Sequence, residues 1–478
     1  MSLIEQLTRH KSVAALQAEA GQRRDFRRVL GLWQLTAIGI GGIIGVGIFV
    51  LAGQQAAANA GPAVALSFLI AGVGSAAAAL CYAEFAGMIP VTGSAYTYGY
   101  AVLGELAAWI IGWDLLLEYA LVVAVVAIGW SGYVQVLLSS AGIHLPAWAQ
   151  GALGTGEGHV FNVIAAAITL IVAGLLTVRT EWGARFNTVI VIIKVIGALL
   201  VIAIGVFLVD PANWHPFVPP EVKAADGQSH FGWAGVLTAA SVVFFAVFGY
   251  DTLTTAAEEA KNPQRDLPLA VIASLAISMV LYVAISFVLT GMVPYAQLGG
   301  AAPVSDAFAA RGFAWIGVAV AAVVVVGVMS VLFAFMLGTA RIWFALARDG
   351  LLPAWFAKVH PQYGTPYRPT LIAGVVTAVV AGLLPITQVA ELINIGTLAA
   401  FIIICASILV LRTRQPELPR AFRVPGAWIV APVGILFSLA LIWGLPVITW
   451  ERFAIWMVIG FLVYFGYGIR RSKLAGSA

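Results

Sequence analysis

Charge is what this chain has least of. Of its 478 residues only 10% are Asp, Glu, Lys or Arg, against 62% hydrophobic, and the mean hydropathy is +0.99. A water-soluble fold of this length has no core large enough to hide so much apolar surface, so the solvent must be mostly lipid. Cysteine is nearly absent as well. Cys81 and Cys405 both fall inside apolar runs, which excludes a disulfide framework and indicates no thiol site. The six histidines (His10, His144, His159, His215, His230 and His360) stand in tails or loops without metal-ligand spacing. No HExxH, P-loop or GxSxG sequence occurs, so nothing argues for a membrane enzyme, and neither metal nor cofactor is expected. A cleavable signal peptide is not expected either: "SLIEQLTRHKSVAALQAEAGQRRDFRR" is polar and basic, with no small-residue cleavage site after a short apolar core. Residues 2–20 read as an amphipathic helix on the membrane surface or as a solvated tail. The pI near 9.1 traces to loop charge and is not a nucleic-acid signal.

What is present in quantity is long apolar runs. A membrane span needs ~20 apolar residues, and these runs suit helices rather than barrel strands. Twelve spans are expected, near 31–53, 62–88, 104–138, 160–178, 184–208, 231–257, 267–294, 312–347, 369–384, 389–411, 427–446 and 453–470. The third and eighth are too long for one untilted crossing, so each tilts or extends beyond the bilayer. Lysine and arginine set the orientation. With the N-terminus inside, only Lys223, Arg311 and Arg452 lie outside, and every other basic residue except Lys194 is cytoplasmic. That asymmetry places both termini in the cytoplasm.

The stretch "IGIGGIIGVGIFVL", residues 38–51, holds five glycines. One reading is close helix packing, with Gly41 and Gly45 as a GxxxG pair. The other is a helix broken around Ile43, Ile44, Gly45, Val46 and Gly47, because glycine accepts backbone conformations other residues resist. Non-helical backbone at that depth is tolerated only against protein or a cavity, so a break implies a site. The half-helix after it aims N–H groups and a positive dipole end at an anion, and the half before it leaves carbonyls for a cation. A break of this kind recognises a zwitterion.

If two inverted five-span repeats build the core, the partner break falls in the sixth span. That span reads "SVVFFAVFGYDTLTTAAEEAKNP", where Phe245, Phe248, Gly249, Tyr250 and Asp251 interrupt an apolar stretch. A helix nearing its cytoplasmic end would read the same way.

Four separated motifs carry a resemblance. "IGGIIGVGIFVLAG", "EFAGMIPVTGSAYTYGY", "EEAKNPQRDLP" and "ARDGLLP" occur in that order, and over residues ~25 to 450 the chain resembles the amino acid–polyamine–organocation superfamily, particularly bacterial members of its cationic amino acid transporter branch. The resemblance implies an all-α membrane protein with a ten-helix inverted-repeat core of the LeuT-like kind, helices 1 and 6 broken, two further helices, and alternating access. The corresponding divisions are a tail at 1–30, repeats at 31–208 and 231–411, two extra helices at 427–470 and a tail at 471–478. Carried onto these residues, it implies that the N–H groups of Gly45, Val46 and Gly47 take an amino acid carboxylate. The carbonyls of Ile43, Phe245 and Phe248 take the ammonium, and Phe245 is the aromatic gate.

Glu118, in "GWDLLLEYAL", is an intramembrane acid and so a functional candidate, either near the pocket or paired structurally with another helix. Asp114 lies one turn earlier on the same face. Phe335 or Met336 of the eighth span closes the side-chain end and leaves little room for a cationic side chain. A small neutral amino acid such as alanine, moved with protons across the cytoplasmic membrane, is therefore the expected substrate. The alternatives are a cationic amino acid uniporter or exchanger of the same fold, and a channel or sensor. Lys194 lies nine residues past Arg185, ~14 Å along the fifth helix. A charge so deep costs roughly 3 kcal/mol. Either its stem snorkels to the interface, or its ammonium stands where sodium-coupled relatives hold an ion, beside the first and eighth spans, with Ser330 as a neighbour and proton coupling as its role.

Overall fold

The computed structural model describes residues 6–7, 9–10, 30–89, 94–178, 184–223 and 229–473. The N-terminal tail therefore lies almost wholly outside the described residues, as do 474–478. Apart from a hairpin pairing Val222–Lys223 (β1) with Ser229–His230 (β2) and two isolated bridges, the regular structure of the described residues is helical. Eight helical stretches are long and apolar enough to cross a membrane, and four more apolar helices are shorter.

In chain order the principal helices are α1 (Leu32–Ile43), α2 (Val64–Met88), α3 (Glu105–Ser140), α4 (Val163–Val178), α5 (Ala184–Gly205) and α6 (Gly232–Val243). They continue as α7 (Pro263–Met292), α8 (Ala314–Arg348), α9 (Tyr367–Leu383), α10 (Ile386–Arg414), α11 (Ala427–Trp443) and α12 (Val447–Val463). Proline sets several starts: Pro263 opens α7, while Pro366, Pro385 and Pro446 stand just before α9, α10 and α12. Proline suits those positions because the first helical N–H groups have no intrahelical acceptor. The two helices expected to overrun a bilayer do so, α3 with 36 residues and α8 with 35.

Two groups of helices make up the body. In one, α7 lies along α2 and α1, and α6 packs on α2. In the other, α3 pairs with α8 and α4 with α9. α5 reaches from α8 to α1, and α10 joins α3 to α11. Among the described residues α12 buries only Thr449 and Gly460, so its apolar surface faces outward.

Two spans are interrupted. α1 ends at Ile43, Ile44 is extended (φ −75°, ψ 99°), and helix resumes as a π-turn at Gly47–Leu51. α6 gives way to a 3-10 turn at Phe244–Ala246, then to Gly249 at φ +114°, then to 3-10 helix over Tyr250–Glu259. Glycine makes leaving the helix cheap, because it holds helical geometry about 1 kcal/mol less well than alanine. The carbonyls of Gly41, Ile43, Ile44 and Ala246 are met by side chains from elsewhere, in keeping with a dry interior.

Candidate functional site

The two interruptions face each other across a small cavity. Gly42, Ile43, Gly45 and Gly47 line it from the first span, and Phe245 and Phe248 from the sixth. Val122 and Val126 of α3 and Val331 and Phe335 of α8 complete it. The glycines serve two ends here. A Cβ on Gly47 would run into Ala246, so this glycine lets the two broken spans touch. A Cβ on Gly45 would meet Val331 at an ordinary 3.6 Å, so Gly45 keeps the cavity open. Close packing and a break are therefore both present in the glycine run.

The main chain at the breaks supplies the polarity. Tyr282 of α7 donates its hydroxyl to the carbonyls of Ile43 (2.7 Å) and Ala246 (2.8 Å), one from each break. Tyr133 of α3 donates to the Phe49 carbonyl at 2.6 Å. The helix resuming at Gly47 starts with N–H groups that have no intrahelical acceptor, at its positive end.

Lys194 is fully buried, and its ammonium turns inward. Nζ donates to the carbonyls of Gly41 and Ile44, each at 2.7 Å, and to Ser330 Oγ at 3.3 Å. That geometry is incompatible with snorkelling. It also occupies the carbonyl end of α1, where a cation is favoured by the helix dipole. Two of the carbonyls left by the first break are thus held by this protein's own cation.

Of the residues singled out from the sequence, Ile43, Gly45, Gly47, Phe245, Phe248 and Phe335 line the cavity, and four others do not. Ile44 offers its carbonyl to Lys194 instead. Val46 lays its side chain against Gly129 of α3. Met336 is buried beside Phe335 but faces elsewhere, as the ~100° between successive helical residues dictates. Glu118 lies outside the cavity lining, since Val122 and Val126, one and two turns further along α3, take that place. Its neighbours are Asp114, Asp251 and Thr397.

Aromatic rings connect the cavity to that acidic region. Phe245 meets Phe248 edge-on (6.3 Å between centroids), Phe248 meets Phe335 (6.3 Å), and Phe335 meets Tyr119 (5.0 Å). The Tyr119 hydroxyl then donates to Asp251. Sequence reasoning missed the three valines and both tyrosine clamps. The α3 valines were within reach, being i+4 and i+8 from Glu118; a tyrosine in an apolar helix carries no local sign of its partners. Among the described residues no group of three His, Cys, Asp or Glu is placed to hold a metal ion.

Every side chain around the cavity is apolar, and the polar groups are main-chain atoms of the two breaks. Such a site suits a small molecule with a charged or polar backbone and an apolar side chain. Comparison with known proteins agrees on the class. Residues 30–464 match a family model described as amino acid permease. The chain is similar to the branched-chain amino acid permease BcaP of Bacillus subtilis, 44% identical over 98% of each chain. It is also similar to the methylthioribose transporter of the same organism, 43% identical over 98% of this chain and 99% of that one. A human relative, cationic amino acid transporter 4, is 38% identical over 82% of this chain and 61% of its own.

Proposed function

The chain belongs to the amino acid permease family, and from that premise we propose that it imports small neutral L-amino acids such as alanine by proton-coupled symport. The observation that carries this reading is the cavity between the two breaks, whose side chains are all apolar and which adjoins a buried lysine. The substrate carboxylate would sit on the N–H groups of Gly45, Val46 and Gly47. Its ammonium would take the carbonyls of Ile43, Phe245 and Phe248. The Ile43 carbonyl already accepts from Tyr282, and a second lone pair leaves it able to accept once more. Phe245 closes over the occupied site as a gate.

The architecture in this reading is twelve membrane helices: a ten-helix core of two inverted five-helix repeats, α1–α5 and α6–α10, with α11 and α12 outside it. The pairing of an interrupted first helix with an interrupted sixth supports it. Both termini are cytoplasmic and the membrane is the cytoplasmic one, a reading supported by the lysine and arginine distribution. The two helix groups would rock about the cavity to give alternating access. Lys194 couples transport to protons: charged, it holds the carbonyls of α1 and bridges to Ser330; neutral, it releases part of that hold and changes the balance between states.

A longer, branched-chain substrate is the second reading. It is favoured by the aliphatic lining and by the relatives named as branched-chain permeases. A cationic substrate finds no carboxylate among the cavity-lining residues. Uptake of a labelled amino acid panel into proteoliposomes, with and without an imposed pH gradient, tests all three. Gradient-stimulated alanine uptake is expected; uptake of arginine with alanine ignored overturns the proposal.

A further inference from the structure

One turn from the cavity toward the Glu105 end of α3, Asp114 and Glu118 stand four residues apart on one helix face. They are 2% and 3% exposed. Asp114 Oδ1 and Glu118 Oε2 are buried without a hydrogen-bond partner. The groups facing Glu118 from other helices are Asp251 past the second break, Thr397 of α10 and Tyr82 of α2, with Tyr119 beside it on α3. Asp114 lies against Gly396 of α10. Among the described residues, no lysine, arginine or histidine is among the groups acting on Asp114 or Glu118. Two carboxyl groups one helical turn apart and taken from water resist being ionised together, because burial and like charge both oppose it.

The segment that carries Asp251 is itself unusual. Tyr250–Glu259 runs ten residues as 3-10 helix, whereas such helices seldom exceed about four residues, and a 3-10 stretch within a span often marks a hinge or a strained sequence. It starts at Gly249, whose φ of +114° strongly favours glycine. Its far end is tied to the chain entering α1: Leu30 N–H donates to the Glu259 carbonyl (3.0 Å), and Lys261 N–H to the Leu30 carbonyl (2.8 Å). The ends of both broken spans on this side are therefore hydrogen-bonded to each other.

We propose that Asp114 and Glu118, beside Asp251 and Tyr119, form a second proton-binding site, separate from Lys194, which opens when Tyr250–Glu259 swings away from α3. The inference rests on the proton-coupled reading above. In the closed state the pair shares a carboxylic acid proton. On opening, the O–H bond breaks, the proton passes to entering water, and the same water solvates the carboxylate left behind. In the orientation proposed above the site lies on the cytoplasmic side of the cavity, so release there follows inward movement of substrate.

Infrared difference spectra of the protein in proteoliposomes at neutral pH test it directly. The parent should show a protonated-carboxyl C=O band that loses intensity and shifts in Glu118→Gln, and does the same in Asp114→Asn. In the same vesicles the ratio of gradient-driven accumulation to substrate exchange should fall about tenfold in Glu118→Gln, a typical coupling effect. If Glu118→Gln does not fold, Asp114→Asn carries the same comparison. Lys194→Met, measured alongside, separates this site from the lysine. Lost accumulation in Lys194→Met, with a parent-like ratio and unchanged band in Glu118→Gln, overturns the second site and leaves the lysine reading intact. Parent-like accumulation in both variants overturns proton coupling and this site with it. Equal loss of exchange and accumulation, with the band unchanged, assigns Glu118 a structural part and also overturns the proposal.

Discussion

Gly42 and Gly249 meet back to back. A Cβ on Gly42 would lie 2.5 Å from the Gly249 carbonyl oxygen, and one on Gly249 would lie 2.6 Å from that of Gly42. Each broken span thus leaves room for the main chain of the other. The contact is backbone on backbone, so no side-chain rotation can relieve a substitution.

Gly249→Ala should be the more damaging of the two, since it adds a backbone conformation unfavourable to L-residues at φ +114°. A loss of about 1–3 kcal/mol is expected from that strain alone. Thermal unfolding in detergent reads it directly. A midpoint equal to the parent's would mean the two breaks do not touch as described.

Gly45 and Gly47 should separate folding from binding. Gly45→Ala has space for its methyl, 3.6 Å from Val331, and should fold like the parent while losing affinity because the methyl occupies the cavity. Gly47→Val must displace Ala246 and should lose both stability and binding. Calorimetry with alanine, paired with thermal unfolding, distinguishes the two. Parent-like binding by Gly47→Val would show that the carboxylate site lies elsewhere.

Phe335→Ser should enlarge the side-chain end and admit longer substrates, arginine included. Met336→Ser should leave selectivity unchanged, because Met336 is not part of the cavity wall. Competition against labelled alanine measures both. Altered selectivity in Met336→Ser alone would reverse the assignment of these neighbours.

Lys194→Met should abolish accumulation driven by a proton gradient, and parent transport should be indifferent to sodium. The methionine keeps the stem but leaves the Gly41 and Ile44 carbonyls without their shared donor. Uptake into vesicles with each ion gradient imposed singly is the measurement. Undiminished proton-driven accumulation would return this lysine to a packing role.

Tyr282→Phe removes one hydroxyl and leaves two main-chain acceptors, Ile43 O and Ala246 O, without their donor. A destabilisation of about 1–3 kcal/mol is expected for leaving buried polar groups unsatisfied. Substrate affinity should fall with it, since the donor holds both breaks in register. Thermal unfolding with and without alanine checks the two effects, and no change in either would mean water replaces the hydroxyl.

The sequence by itself determined the apolar runs, the glycine run that breaks the first helix, the glycine that breaks the sixth, and the oddity of Lys194. These are local properties: run length against bilayer thickness, glycine's backbone freedom, a charge far from any interface. Tertiary structure decided the rest. That Phe335 rather than Met336 faces the cavity follows from how α8 is rotated against α3, which one chain's period leaves free. That Glu118 sits a turn away from the cavity, among other acids, follows from where Asp251 and Thr397 arrive from other helices. Tyr282 could be seen to clamp both breaks only once α7 was laid beside α1, 239 residues away along the chain from Ile43 to Tyr282. A break is written in the residues that leave the helix, but the groups that satisfy it come from wherever the fold brings a donor, because in a dry interior each freed carbonyl must find one.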